Sequence, residues 1–139
     1  MEIKQFVLKL KAKERGFHLV TEEVFKQIPE LTSVRVGLLN LFIQHSSASL
    51  FINEYADPSV RSDLEEFYSE LCNNKIYYTH TAEGPDDMPS HAKASILGAG
   101  ISIPITSGRP NFGTWQGIIL GEHRIHAGTR KIVATLIYD

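Results

Sequence analysis

The stretch Val34-Arg35-Val36-Gly37-Leu38-Leu39-Asn40-Leu41-Phe42-Ile43-Gln44 decides the fold. It is long, apolar and in places β-branched, which is typical of a strand in the middle of a sheet. We therefore predict a central strand over residues 34–44. The predicted strand ends next to His45, so this candidate functional residue directly follows a core strand.

Shorter apolar stretches on both sides predict the other strands. The run from residue 3 to 10 alternates imperfectly between apolar and polar residues, which favours a strand, and residues 17–20 predict a second, short one. After the middle of the chain, further strands are predicted at residues 101–105, 110–112, 117–122 and 131–138.

Two main helices are predicted between these groups of strands. Asp57-Pro58 is typical of a helix start, with a capping acid followed by proline in the first turn. Apolar residues then recur at helical spacing as far as Cys72, which places this cysteine on the core face as a packing thiol. The second main helix begins near Pro89 and ends at Gly98.

A short helix is also predicted from Thr21, acting as its cap, to Gln27, with Pro29 ending it. Strands, then helices, then strands follow one another without regular alternation, which indicates the α+β class. We predict a single domain over residues 1–139, with a mixed, mostly antiparallel sheet packed against the two main helices.

Composition excludes several classes of function. The 139 residues carry a formal net charge of -2, so no basic field is available to hold a nucleic-acid backbone. No apolar run is long enough to cross a bilayer, and the first ten residues lack the apolar core of a signal peptide. We expect a cytoplasmic protein with neither nucleic acid nor membrane as a partner. A single cysteine also excludes an intrachain disulfide and multi-thiolate zinc sites.

Histidines and acids stand in short polar segments between the apolar runs. His80 and His91 bracket the turn Gly84-Pro85-Asp86-Asp87. Imidazole and carboxylate together are common ligands for divalent metals, and they also suit general acid–base catalysis. Asp86 and Asp87 are alternatively explained as turn residues and as negative charge at a helix start.

Other polar residues are candidates for the same pocket. His45 and Ser46 follow the central strand, and a base beside hydroxyl groups would suit an anionic substrate. Asn53 ends an apolar run, where a turn explains it equally well. Trp115 and Gln116 lie between two glycines, where they would stack on and hydrogen-bond a ring, although a tryptophan that only fills the core explains Trp115 equally well. Glu122 ends an apolar strand, and an unpaired carboxylate is costly to bury.

Taken in order, these segments resemble the YjbQ family, also known as the secondary thiamine-phosphate synthase family. The resemblance extends from about Ile3 to Tyr138. Its most specific parts are the segments His45-Ser46-Ser47-Ala48, Asn53-Glu54, Asp57-Pro58, His80, Asp86-Asp87-Met88-Pro89-Ser90-His91, Gly113-Thr114-Trp115-Gln116 and Glu122. The chain differs from the usual pattern at Ser46, where threonine is frequent, and at His123, where an acid is common.

The resemblance implies a homotrimer with a small-molecule substrate and a weak thiamine-phosphate synthase activity. That reaction joins a pyrimidine pyrophosphate to a thiazole phosphate and releases pyrophosphate. On this hypothesis the catalytic groups are His45, His80, His91, Asp86 and Glu122. The substrate-binding groups are Ser46, Asn53, Trp115 and Gln116.

Three alternatives remain from the residues alone. His45, His80 and His91 would instead hold a divalent metal, zinc or magnesium, in a hydrolase or lyase. A non-catalytic trimer would use the pocket only to bind a small ligand. Finally, the histidines would only cement a subunit interface, which is the weakest alternative because interfaces depend on apolar area.

Overall fold

In the computed structural model, which describes residues 1–139 in full, eight strands and three α-helices follow one another along the chain. The strands are β1 (Glu2–Leu10), β2 (Gly16–Leu19), β3 (Val36–Ile43), β4 (Ala48–Glu54), β5 (Gly100–Thr106), β6 (Arg109–Pro110), β7 (Gln116–Glu122) and β8 (Arg130–Tyr138). The helices are α1 (Thr21–Phe25), α2 (Pro58–Cys72) and α3 (Asp87–Leu97), and a 3₁₀ helix covers Pro29–Ser33.

The strands form two sheets rather than one. Five strands lie in the order β1-β8-β3-β5-β6, and three lie in the order β2-β7-β4. Every strand pair is antiparallel. The predicted α+β class and the central place of β3 are confirmed, whereas the prediction of one mixed sheet is corrected to two antiparallel sheets.

Strand β4 accounts for much of that correction. The sequence predicted no strand there, because the polar run 44–47 interrupts the apolar stretch that resumes at Ala48. In the structure Ala48, Ser49 and Leu50 are buried, and β4 pairs with β7 from Ala48↔Glu122 to Glu54↔Gln116.

The start of α2 is as predicted. The Asp57 side chain accepts a hydrogen bond from the Ser59 N–H at 2.9 Å, and Pro58 occupies the first turn. The cap predicted for α1 is wrong, because the Thr21 hydroxyl instead accepts the Ile118 N–H of β7 at 2.9 Å. A long-range contact has therefore displaced a local one.

One apolar core holds both sheets together. It contains 19 buried residues, which come from strands of both sheets and from the segment 20–34 between β2 and β3. Within β3 the inward residues Leu39, Leu41 and Ile43 alternate with exposed neighbours, as expected for a strand with one buried face. Cys72 is buried at the end of α2, and burial raises the pKa of its thiol, which fits the predicted packing role.

The other face of the five-stranded sheet remains uncovered. Strand register aligns an apolar row of Ile3, Ile137 and Leu38 and a second of Val7, Val133 and Phe42. Between them lies a polar row in which the Gln5 amide donates to the Thr135 hydroxyl at 3.1 Å. None of the three helices combines the length and the apolar character needed to span a membrane.

Candidate functional site

Asp87 is the centre of a polar cluster at the start of α3. Its side chain is 4% exposed. Oδ2 lies 2.9 Å from His80 Nε2, and Oδ1 lies 3.1 Å from His91 Nε2. His91 follows one helical turn later, where side chains share a face, and His80 reaches in from the loop between α2 and α3. Two imidazoles therefore converge on one buried carboxylate.

The backbone fixes the protonation pattern of His91. Its Nδ1 lies 3.0 Å from the carbonyl oxygen of Ser46, and a carbonyl only accepts, so Nδ1 carries the proton. In a neutral imidazole this leaves a lone pair on Nε2, directed at the Asp87 oxygen. Two acceptors at that distance repel each other unless a proton or a metal ion lies between them.

Arg124 compensates the charge of the two neighbouring carboxylates. Its Nε donates to Asp86 Oδ2 and its Nη1 to Asp87 Oδ1, both at 2.9 Å, while Nη2 donates to the Glu83 carbonyl. Burial tends to raise the pKa of Asp86, but hydrogen bonds from the Ile125 N–H and from Arg124 outweigh it and hold that pKa below its ordinary value. Asp86 is thus an ionised anchor for Arg124.

The donor set of this cluster fits a divalent metal ion. One ligand atom each from His80, Asp87 and His91 lies within 4.8 Å of the others. Two imidazoles and a carboxylate are a common set for zinc and other borderline cations. The Ser46 carbonyl on the far nitrogen of His91 matches the orienting bond that metal-bound histidines usually make. This corrects the expected ligand set, because Asp87 takes the place assigned to His45.

His45 lies outside the cluster. Its Nε2 accepts the backbone N–H of Lys131 at 2.9 Å, which ties the exit of β3 to the start of β8. Burial and then the charge of Arg130 lower the pKa of His45, so this imidazole is held neutral as an acceptor. Its neighbour Ser46 is exposed and contributes the carbonyl that orients His91.

Glu122 forms a separate, fully buried ion pair with Arg130. The guanidinium Nε and Nη2 donate to its two oxygens at 2.7 and 2.6 Å, and Nη2 also donates to the Ser47 carbonyl. Because β7 and β8 belong to different sheets, the pair joins the two sheets. The acid that the sequence marked as costly to bury is therefore compensated by a cation.

The other predicted substrate-binding residues lie at the opposite end of the small sheet. Pairing runs from Ala48↔Glu122 to Glu54↔Gln116, a span of roughly 20 Å at the usual rise per residue. Asn53 and Trp115 are exposed, and Gln116 accepts the Gly113 N–H at 2.8 Å. The expected single pocket is thus divided between the two ends of this sheet.

A cavity lies at that second end. It has a volume of about 560 Å³. The residues that line it are Lys11, Leu19, Thr21, Glu22, Glu23, Lys26, Tyr55, Gln116 and Gly117. Of the predicted residues, only Gln116 borders this cavity; none of the cluster residues His80, Asp87 and His91 lines it.

Three buried polar residues near the cluster were not among the predicted site residues. The His123 ring bonds the Ser49 hydroxyl through Nε2 at 2.9 Å, while its Nδ1 has no partner. Burial lowers the pKa of His123 to about 3. Lys93 is 1% exposed and forms no ion pair or hydrogen bond. The spacing Asp87-x-x-x-His91 was a usable signal for the cluster, whereas nothing in the sequence pattern marks Lys93 or Ser49.

Comparison with known proteins relates this chain to one protein family. A family model described as "UPF0047 protein YjbQ-like" matches residues 6–139. The UPF0047 protein YjbQ of Escherichia coli O157:H7 is 53% identical over 132 residues, covering 95% of this chain and 96% of that protein. A UPF0047 protein of Synechocystis is 35% identical, covering 93% and 88% of the two chains.

Solved structures show the same architecture. An uncharacterised YjbQ/UPF0047 protein of Clostridium acetobutylicum superposes with a TM-score of 0.77 at 29% identity, covering 94% of this chain and 97% of that one. A protein of unknown function from Sulfolobus solfataricus, described as YbjQ-like, gives a TM-score of 0.86 over 99% of both chains. At 20% identity this second likeness concerns the fold alone.

Proposed function

The chain belongs to the UPF0047 YjbQ-like family, and for it we propose a divalent-metal-dependent enzyme acting on a small molecule at the His80–Asp87–His91 cluster. The observation that carries the proposal is the orientation of His91. Its Nδ1 proton is committed to the Ser46 carbonyl, so in the neutral ring the Nε2 lone pair faces a carboxylate oxygen 3.1 Å away. A divalent cation held by His91 and Asp87 would turn the repulsion between these two acceptors into attraction.

The chemistry of the ligands favours zinc or another borderline cation over magnesium. Magnesium prefers oxygen ligands and retains several waters, whereas two of the three donors here are imidazole nitrogens. Held by His80, Asp87 and His91, such an ion would supply Lewis-acid chemistry that polarises a carbonyl or phosphoryl oxygen of the substrate. Three protein ligands also match the usual catalytic arrangement, in which a further position stays open to substrate or water.

The protein groups around the cluster position it and manage charge. Asp87 holds both imidazoles, and Arg124 neutralises the second acid, Asp86, so that the cluster does not accumulate uncompensated negative charge. His80 is the exposed member, and its ring is therefore the one that meets incoming substrate. A carboxylate flanked by two imidazoles also suits proton transfer between them.

Within this proposal, thiamine-phosphate synthesis is the specific reaction that the family resemblance suggests. It requires a counter-charge for departing pyrophosphate. The two arginines nearest the motifs do not offer it freely, because Arg124 is bonded to Asp86 and Asp87 and Arg130 is bonded to Glu122. A cation at the cluster would supply that charge. The same cluster serves metal-dependent hydrolysis or elimination, which is the alternative reaction.

Metal content of untagged protein is the test of the proposal. We expect about one zinc ion, or another borderline divalent cation, per chain by elemental analysis. His91→Ala should lose it. His126→Ala should retain it, because His126 is an exposed histidine outside the cluster. Turnover of the pyrimidine and thiazole substrates with the metal restored would support the synthase reaction. Metal binding without that turnover would favour the hydrolase or lyase, and a chain that binds no divalent ion would overturn the proposal and leave a non-catalytic ligand-binding protein.

We also propose that the chain assembles as a homotrimer through the uncovered face of its five-stranded sheet. Support comes from the two exposed apolar rows, in which Val7 and Phe42 are 64% and 51% exposed. Exposed apolar area of this kind marks interaction surfaces. Light scattering of the wild type should give three chains, and Val7→Lys with Phe42→Lys should give monomers; a monomeric wild type would refute this assignment.

A further inference from the structure

A small cavity beside the cluster has a buried cationic floor. Its volume is about 210 Å³, and it is lined by Arg15, Asn73, Asn74, Pro85, Asp86, Pro89, Lys93, His123 and Ile125. Lys93 and His123 are both 1% exposed, while Arg15, Asn74, Pro85 and Ile125 are exposed. The cavity thus has a floor inside the protein and a polar rim that opens to solvent.

Lys93 on this floor has no protein partner. No carboxylate oxygen lies within 4 Å of its ammonium, and no hydrogen bond is formed by it. Burying a charge without a partner is costly, and buried lysines are nearly always paired. A lysine kept in such a position is therefore explained by a ligand that supplies the missing negative charge.

Other unpaired polar atoms face the same space. His123 Nδ1 and Asn73 Oδ1 are buried without hydrogen-bond partners, although both residues line the cavity. Buried polar atoms in native proteins are almost always bonded. These two atoms come from the end of α2 and from the segment after β7; the third buried atom without a partner is Glu65 Oε2 on α2.

Two acids lie near Lys93, Asp86 and Glu65; burial lowers the pKa of Lys93, and the Glu65 charge opposes that larger effect by raising it. Asp86 on the wall is already bonded to Arg124 and to the Ile125 N–H. Arg15 on the rim contacts Glu65 through Nε at 3.3 Å, and its terminal nitrogens form no hydrogen bond. The cavity therefore offers an ammonium, a guanidinium edge and the N–H groups of two side-chain amides to an anion.

We propose that this cavity binds the phosphoryl group of a small molecule, with Lys93 as its principal ligand. A tetrahedral oxyanion accepts hydrogen bonds from more directions than a planar carboxylate, which suits donors placed on several elements. The Asn73 and Asn74 amides and the His123 ring complete the coordination, and the exposed rim leaves room for the rest of the molecule. The site does not depend on a metal ion at the histidine cluster.

Isothermal titration with inorganic phosphate tests the proposal, using metal-stripped protein in the presence of a chelator so that a metal ion plays no part. We expect saturable binding of one phosphate per chain, with acetate at least about tenfold weaker. Methyl phosphate binding as tightly as phosphate would identify the phosphoryl group of a substrate, and binding of free phosphate alone would identify the inorganic ion. Absence of phosphate binding to the wild type, or equal binding of acetate, would overturn the assignment.

Variants locate the binding. Lys93→Met should weaken phosphate binding by at least about tenfold, whereas Lys9→Met, which removes an exposed lysine on β1, should leave it unchanged. Lys93→Met should also unfold at the same or a higher temperature, because methionine has a similar volume to lysine and carries no charge to bury. If that variant does not fold, Arg15→Met on the exposed rim replaces it and should weaken binding by several-fold. Equal phosphate affinity in the wild type and these folded variants would refute the site.

Discussion

Asp87 Oδ1 and His91 Nε2 lie 3.1 Å apart on consecutive turns of α3, and the other nitrogen of the same ring is held by the Ser46 carbonyl. The helix sets the spacing of these two residues, and the segment between β3 and β4 sets the rotation of the ring. Neither part alone defines a ligand geometry. The cluster therefore depends on the docking of α3 against β4 as much as on its own residues.

Asp87→Asn keeps the shape of the central side chain and removes its charge. We expect affinity for zinc to fall by at least about tenfold, because an amide is a poorer ligand and no longer orients both imidazoles. Competition with a chromophoric chelator measures the change. Asp63→Asn on the exposed side of α2 is the matched control, and equal loss in both variants would show that charge in general, rather than this ligand, is responsible.

The Glu122–Arg130 pair allows a sharp test of its structural role. Arg130→Met leaves the fully buried Glu122 carboxylate without a partner, so we expect the free energy of unfolding to drop by about 3–5 kcal/mol. Glu122→Leu combined with Arg130→Met should recover most of that loss, because the unpaired charge disappears with its partner. Urea unfolding of the single and double variants measures both steps.

The exposed contact between the Met1 amino group and Asp139 is the control for that experiment. Asp139→Asn should leave the urea midpoint unchanged, because surface pairs contribute little. A double variant of Glu122 and Arg130 that remains as unstable as Arg130→Met would contradict the charge argument and indicate a packing role for the guanidinium.

Much of the fold could be predicted because its signals are local. The apolar run at β3 and the Asp57-Pro58 start of α2 need no knowledge of distant residues. Strand β4 was missed because its pairing with β7 spans more than sixty residues, and the role of Thr21 was wrong because a backbone N–H of β7 competes for its hydroxyl. The division into two sheets follows from such long-range pairings, which periodicity does not encode.

The candidate site follows the same rule. His80, His91 and the acidic turn lie within twelve residues of one another, and the structure does bring them together. Glu122 ends strand β7 and His45 follows strand β3. Their partners, Arg130 and Lys131, both lie in β8 and are set by how the strands meet. Gln116 and Glu122 lie at opposite ends of strand β7, so they do not share a pocket. The sequence pattern did not show that β7 is one unbroken strand.

Gly121 makes room for the buried Ser49–His123 pair. A Cβ at this position would meet the Ser49 hydroxyl oxygen and lie 2.6 Å from His123 Cε1. We expect Gly121→Ala to lower the free energy of unfolding by about 1–3 kcal/mol through this overpacking. Gly100→Ala is the matched control, since its Cβ would meet nothing closer than 3.5 Å. A similar loss of stability in both variants would show that replacing any strand glycine is destabilising, and would contradict the overpacking argument.

His123 should make folding sensitive to acid. Burial lowers its pKa from 6.5 to about 3, so below pH 6.5 the unfolded chain takes up a proton that the folded chain refuses. Stability from this group is complete above pH 6.5, falls between pH 6.5 and about 3, and does not fall further below that. The slope in this window approaches about 1.4 kcal/mol per pH unit.

His123→Gln should remove that component. Urea unfolding of the wild type and the variant between pH 7 and pH 4, ~3 pH units in all, gives the difference in slope, in which the contributions of the carboxyl groups cancel. His126→Gln, at an exposed position, should retain the wild-type slope. If His123→Gln loses stability with acid as steeply as the wild type, folding does not lower the pKa of this ring and the prediction is wrong.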